Sequence, residues 1–154
     1  MFRTALLVVL ARAVITYAGP ASAQAQASGN ENAARAMLER GIAALKKDPA
    51  AALAAFTKGE SGFRNADFYV FCIDMKTGRF SASGGKPELI GTEAKNLKEK
   101  DGSPLGEKVM KAMEKDKIAT VTYNFPKPGS ETPMPKTSYV TRVGDQGCGV
   151  GYYH

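Results

Sequence analysis

Histidine is almost absent from this chain: its 154 residues contain one, and that one is the last, His154. Nucleophilic catalysis needs a base held beside its nucleophile, and an imidazole at a chain end prone to fraying is badly placed for that role. Cysteine is nearly as scarce. Cys72 and Cys148 are the only two, and with one distant histidine they fall short of the four-ligand set that zinc prefers. A basic stripe is missing as well. The formal charge is +6, but Arg3 and Arg12 lie in a segment expected to be removed, and the lysines between Lys95 and Lys117 are interleaved with acids, as on a solvated surface. Nucleic acid is therefore not an expected partner. Gly84-Gly85-Lys86 lacks the rest of a phosphate-binding loop. Asp67, Asp74, Glu88 and Asp101 are available as carboxylates, but their spacing gives no reason for them to converge. No catalytic residue, cofactor or metal is assigned, and the chain is not read as an enzyme.

What is present is the composition of an ordinary globular protein, 44% hydrophobic and 23% charged, at a length that suits one domain. Its start has the form of an export signal. Arg3 supplies a positive charge, residues 5–10 are apolar, and Ala21-Ser22-Ala23 or Ala23-Gln24-Ala25 offers a small-x-small cleavage pattern, although Arg12 interrupts the apolar region. The other reading, an uncleaved anchor, fails on length, because residues 5–18 are fewer than the about 20 apolar residues that span a bilayer. The expected division is a signal peptide over 1–25, cleaved after Ala23 or Ala25, a flexible polar stretch over 26–32, and a single domain over 33–154 in the periplasm or outside the cell. In such an oxidising compartment an even pair of cysteines favours a Cys72–Cys148 disulfide. It would close a loop of about 75 residues and stabilise by roughly 4 kcal/mol on the chain-entropy account. The alternative is two separate buried thiols.

Periodicity supplies the elements. Ala34, Met37, Leu38, Gly41 and Leu45 recur at three- and four-residue steps, the stripe of an amphipathic helix. Asp48-Pro49 restarts a helix that carries Leu53 and Phe56 and ends at Gly59. Residues 68–73 are aromatic and β-branched, a turn follows, and residues 79–83 return as a neighbouring strand. Ser103-Pro104 starts a helix with Leu105, Val109, Ala112 and Met113 on one face. Ala119, Val121, Tyr123 and Phe125 alternate with Ile118, Thr120, Thr122 and Asn124 as in a half-buried strand. Residues 137–143 and 148–153 complete about five strands. Helices early and in the middle of such a chain indicate an α+β domain.

The order of several short motifs carries more. Tyr123-x-Phe125-Pro126-Lys127-Pro128-Gly129 ends one strand, Lys136-x-Ser138-Tyr139-Val140 begins the next, and a glycine-rich strand from Gly147 closes on Tyr152 and Tyr153. Upstream stand Tyr69-Val70-Phe71-Cys72-Ile73-Asp74, Gly78, the run Pro87 to Gly91, and Asp101-Gly102. Over roughly residues 33–153 this arrangement resembles the extracytoplasmic Cache sensor domain in its single, type 2 form. The resemblance implies a PAS-like antiparallel sheet with a long N-terminal helix, and the binding of a small molecule rather than its turnover. Two departures stand out: Phe125 where the family often has tryptophan, and Ser83, after Ala82, where it often has histidine. With no spanning helix before its end, the chain resembles a free-standing, secreted member of the family.

Within that frame Tyr123 and Phe125 share a strand face and can wall a pocket. Lys136 and Tyr139 offer an ammonium and a hydroxyl to a carboxylate, with Ser83 as a further candidate. The resemblance implies a small organic acid or similar metabolite as ligand. The plainer reading makes Tyr123, Phe125 and Tyr139 core aromatics and Lys136 a solvated lysine at a strand end. The N-terminal helix has two readings as well, a homodimer contact or packing on its own sheet. The function expected is a small-molecule sensor acting through a membrane receptor or kinase, or else a ligand-free interaction subunit that docks such a kinase or a transporter. The export reading predicts a mature protein beginning at Gln24 or Gln26. N-terminal sequencing of protein from the exported fraction checks it, and an intact Met1 there overturns it.

Overall fold

The computed structural model describes residues 21–154, with side chains from Asn30 onward. Residues 1–20, which hold most of the expected export signal, lie outside the described residues. Helix α1 (Ala21–Lys47) runs through 26–32, so the stretch expected to be flexible is helical. Local propensity does not decide there, since Ser28, Gly29, Asn30 and Asn32 are not strong helix formers; the stretch continues the helix that the packed stripe sustains. The stripe Ala34, Met37, Leu38 and Leu45 is buried against the chain's own sheet, which decides between packing and dimer contact for that face. Helix α2 (Pro49–Lys58) follows at once. Asp48 caps it by accepting the Ala51 N–H at 3.0 Å, and Gly59 ends it at φ 69°, its N–H turned back to the carbonyls of Ala55 and Phe56.

The sheet is antiparallel throughout. Its strands are β1 (Arg64–Asn65), β2 (Phe68–Asp74), β3 (Arg79–Ser83), β4 (Ala119–Pro126), β5 (Pro133–Val143) and β6 (Gln146–Tyr153). They lie in the order β1-β2-β6-β5-β4, with β3 also paired to β2. The sixth strand is the two-residue β1, too short for alternation to reveal. Helix α3 (Leu105–Ala112) and two single turns of 3-10 helix, Pro87–Leu89 and Ala94–Asn96, join β3 to β4.

Two cores result, one on each face, because side chains alternate along every strand. In β2, Val70 and Cys72 join Leu38, Phe56 and Val150 under α1 and α2. Tyr69, Phe71 and Ile73 face the other way and pack with Leu105, Val109 and Tyr123 under α3. The edge strand β4 is guarded: Lys108 donates to the Thr122 carbonyl at 2.7 Å, and Glu99 accepts the Asn124 N–H at 2.9 Å. Charged side chains on those groups discourage pairing with another strand.

Cys72 and Cys148 stand directly opposite each other in the β2–β6 register and are bonded, with α-carbons 4.1 Å apart. Both are buried on the helix face. The bridge ties residues 76 apart in sequence, so the double variant Cys72→Ala/Cys148→Ala is expected to lose roughly 4 kcal/mol. Urea denaturation of oxidised wild type and variant measures this; an unchanged midpoint would make the bridge energetically idle.

Candidate functional site

The last strand makes the room for the site. Cys148, Val150 and Tyr152 point toward the helices, so Gly147, Gly149 and Gly151 occupy the opposite face and leave it bare. A methyl group on Gly149 would lie 2.6 Å from the Phe71 ring, and one on Gly151 would collide with the Lys136 stem. Phe71 and Lys136 therefore reach across β6 from its two neighbours. Lys136 turns inward and is only 1% exposed. The solvated strand-end lysine of the plainer sequence reading is thereby corrected, and the glycine opposite is the reason.

The Lys136 Nζ donates to the Tyr69 hydroxyl at 3.0 Å. It lies 4.3, 4.8 and 5.3 Å from the ring centroids of Tyr69, Tyr153 and Phe125. Ring faces attract a cation, but they supply less than the hydration they replace. Among the described residues no carboxylate forms an ion pair with Lys136. Asp67 acts on it only at a distance and pairs instead with Lys127, at 2.7 Å. Burial consequently lowers the Lys136 pKa to about 7, against a smaller upward pull from Asp67. Burial also raises Tyr69 and Tyr123 well above the usual phenol range and Tyr153 to about 12, so these hydroxyls stay neutral near pH 7.

Beside the ammonium is a small, mostly apolar cavity. It offers the centre of a water-sized sphere about 30 Å³ and is walled by Ser83, Tyr123, Phe125 and Lys136 together with Phe71, Phe80, Leu105 and Val109. That is room for about two waters. Leu89, Leu97 and Phe125 also line an open groove of about 450 Å³ on the same measure, so these three form the partition between the cavity and the outside. Lys86 and Ser130 join the loops flanking that groove through a 3.4 Å hydrogen bond.

Four of the five residues expected at a site meet here. Tyr123 shares a 2.7 Å hydrogen bond with Ser138, and its ring stands edge-on to Phe125 at 6.1 Å. Ser83 accepts the Lys86 N–H at 3.2 Å. Tyr139 is elsewhere. Three residues beyond Lys136 in one strand, it has the opposite parity and points under α1, where its hydroxyl donates to Glu31 at 2.6 Å. The hydroxyl beside the ammonium is that of Tyr69, 67 residues away in sequence, which the sequence pattern does not single out. Nor does it single out Tyr153, whose hydroxyl donates to the Pro126 carbonyl at 2.9 Å. The available signal is the alternation of glycine with tyrosine in β6.

The carboxylates do not gather at this cavity. Asp74 accepts the N–H groups of Lys76 and Thr77 in the β2–β3 turn, and Asp101 holds Ser103. The family model of single Cache domain 2 matches residues 30–152. The chain belongs to this family. Members are extracytoplasmic ligand-binding sensor modules and not enzymes. Solved structures agree on the fold. A methyl-accepting chemotaxis protein from Vibrio parahaemolyticus is similar at TM-score 0.66 and 21% identity, over 86% of this chain and 94% of that one. The periplasmic sensor domain of a chemotaxis protein gives TM-score 0.62 and 24% identity, over 89% and 99%. A Cache chemosensory domain described in terms of carboxylic acid recognition gives 0.57 and 23%, over 86% and 93%. No curated protein sequence matches. The Cache fold thus accounts for the two-faced sheet, and among the described residues no helix is long and apolar enough to cross a membrane.

Lys136→Met tests the electrostatics of the empty domain. The folded-state pKa, about 7, lies below the ordinary 10.5, so folding requires the lysine to give up part of its protonation between those values. The penalty is full below pH 7 and fades as pH rises toward 10.5; it is on the order of 4–5 kcal/mol by linkage, an upper figure. The variant is therefore expected to be more stable than wild type at pH 7, with the gain shrinking by pH 10. Urea midpoints at both pH values measure it, and equal stability at pH 7 would refute the buried-charge penalty.

Proposed function

We propose that this Cache domain senses a small organic acid outside the cytoplasm, holding its carboxylate on Lys136 and presenting its occupancy to a membrane receptor or kinase. One observation carries the reading: a buried lysine beside open volume, with aromatic rings and a tyrosine hydroxyl around it but no carboxylate paired to it among the described residues. A lone buried cation is costly, and an incoming anion supplies the missing partner in a site where hydrogen bonds are poorly screened. The Tyr69 hydroxyl supplies a second polar group. The remaining walls contact an apolar body, and the cavity limits that body to a few heavy atoms unless Leu89, Leu97 or Phe125 moves. The similar Cache domain described by carboxylic acid recognition is consistent with this ligand class.

Binding should be proton-linked. A carboxylate favours the ammonium, whose pKa in the empty domain is about 7, so affinity is expected to be constant from the ligand's own carboxylic pKa up to pH 7 and to fall as pH rises above it. A thermal-shift screen of small mono- and dicarboxylates at pH 6.5 finds the ligand, with stabilisation of about 2.7 kcal/mol at 100 times its Kd. Calorimetry then ranks variants. Lys136→Met is expected to weaken binding roughly 10- to 150-fold, the equivalent of one charge-assisted hydrogen bond. Tyr139→Phe, which alters only the helix face, leaves affinity unchanged. No stabilisation by any small carboxylate, or binding indifferent to Lys136→Met, would overturn the reading in favour of a ligand-free docking domain.

A further inference from the structure

An amine that is poorly solvated as an ammonium has a second chemistry. The groups facing the Lys136 Nζ come from every strand around it: Tyr69 from β2, Tyr153 from β6, and Phe125 with Tyr123 from β4. None is an anion. The nitrogen borders the cavity, and Leu89, Leu97 and Phe125 are shared between its wall and that of the outer groove. We infer that Lys136 is a covalent capture site for small aldehydes or ketones with an apolar body, forming a reversible imine within the cavity. This goes beyond the carboxylate reading, which uses the same nitrogen in its protonated state.

The step balances without an added reagent. The Nζ lone pair forms a bond to the carbonyl carbon as the C=O π pair moves to oxygen, and a proton from nitrogen reaches that oxygen to give a carbinolamine. The C–O bond then breaks. The second nitrogen-bound hydrogen leaves with the oxygen as water, and the C=N bond remains. Tyr69, 3.0 Å from Nζ, is the positioning residue and proton carrier: it passes its own hydroxyl proton to the carbonyl oxygen as it takes one from the nitrogen, and ends unchanged. Its raised pKa keeps it a neutral phenol able to do both. Because the Lys136 pKa is about 7, around half of its amines are free at neutral pH, whereas an ordinary surface lysine is roughly a thousandfold less deprotonated. The volume matches about two waters, so the smallest carbonyl compounds, of about two carbons, suit it best.

The test is pulse labelling of the intact domain with acetaldehyde and sodium cyanoborohydride at pH 7, followed by peptide mapping. Lys136 is expected to be alkylated at least about tenfold faster than the surface lysines Lys47 and Lys111, with a rate that rises through pH 7 and then levels, the form set by a titrating amine. Tyr69→Phe should slow labelling of Lys136 several-fold while leaving Lys47 and Lys111 unchanged. Labelling of surface lysines ahead of Lys136 would overturn the capture site, and an unchanged rate in Tyr69→Phe would remove the tyrosine's role. Thermal stabilisation by a carboxylate is read without aldehyde or reductant, so the two readings of Lys136 fail independently.

Discussion

Everything at the site depends on a strand that carries side chains on one face only. Up to Tyr153, β6 presents Cys148, Val150 and Tyr152 to the helices and three glycines to the other side. Glycine in a strand interior normally weakens it, since it loses more entropy and packs nothing. Here that loss is offset twice. The disulfide pins β6 to β2 at Cys148, and the side chains of Phe71 and Lys136 fill the bared surface from the flanking strands. The helix-side core and the bridge thus make a strand of alternating glycines tolerable, and the glycines allow a lysine to lie flat inside the sheet's second core.

Much of this fold is legible in the amino-acid sequence. The Asp48-Pro49 helix start, the Gly59 stop and the alternation through β4 are local signals, decided by residues within one or two turns of each other. The cysteine pairing is legible for a different reason: two cysteines allow one bridge. Site residues are harder to read, and the causes are specific. Proximity in sequence sets Tyr139 beside Lys136, yet an odd separation along a strand sends the two side chains to opposite faces. Tyr69 is invisible as a partner because its distance from Lys136 is closed only by the β2–β6–β5 strand order, which no local pattern encodes. The burial of Lys136 runs against the general rule that lysines stay in water. It becomes understandable only when Gly151 is recognised as the space its stem occupies.

The two faces of the sheet also differ in how fully their buried groups are satisfied. On the helix side lie the disulfide, the α1 stripe and the Tyr139–Glu31 hydrogen bond, an assembly of buried apolar groups and paired polar ones. On the other side a charged group is held with too little solvation beside an incompletely filled volume. Strain of that kind is characteristic of functional positions and is tolerated because the rest of the domain is over-determined. Replacing Lys136 by an apolar residue would give a quieter core, so its presence is hard to explain by folding alone.

Under the proposed reading, a coupling between occupancy and shape would run through the anchoring of the residues shared by cavity and groove. Leu89 and Leu97 sit at or next to the two 3-10 turns, on a connection tied to the sheet by Arg79 to Gly91 and Glu93, by the backbone N–H groups of Phe80 to Thr92, Gly91 to Phe80 and Ala94 to Gly78, and by Glu99 to Asn124. Phe125 lies near the end of β4, beside the Pro126 carbonyl that Tyr153 holds. An anion that neutralises Lys136 changes the charge felt by Tyr69 and Tyr153, and through Tyr153 and Pro126 that change reaches the β4–β5 turn carrying Ser130. The buried charge and Phe125 are thus linked through the Tyr153 ring, which faces Lys136, and its hydroxyl, which holds the carbonyl of Pro126. The helix side is crosslinked by the disulfide, so under the proposed reading a response to binding would fall to the loops that face the groove.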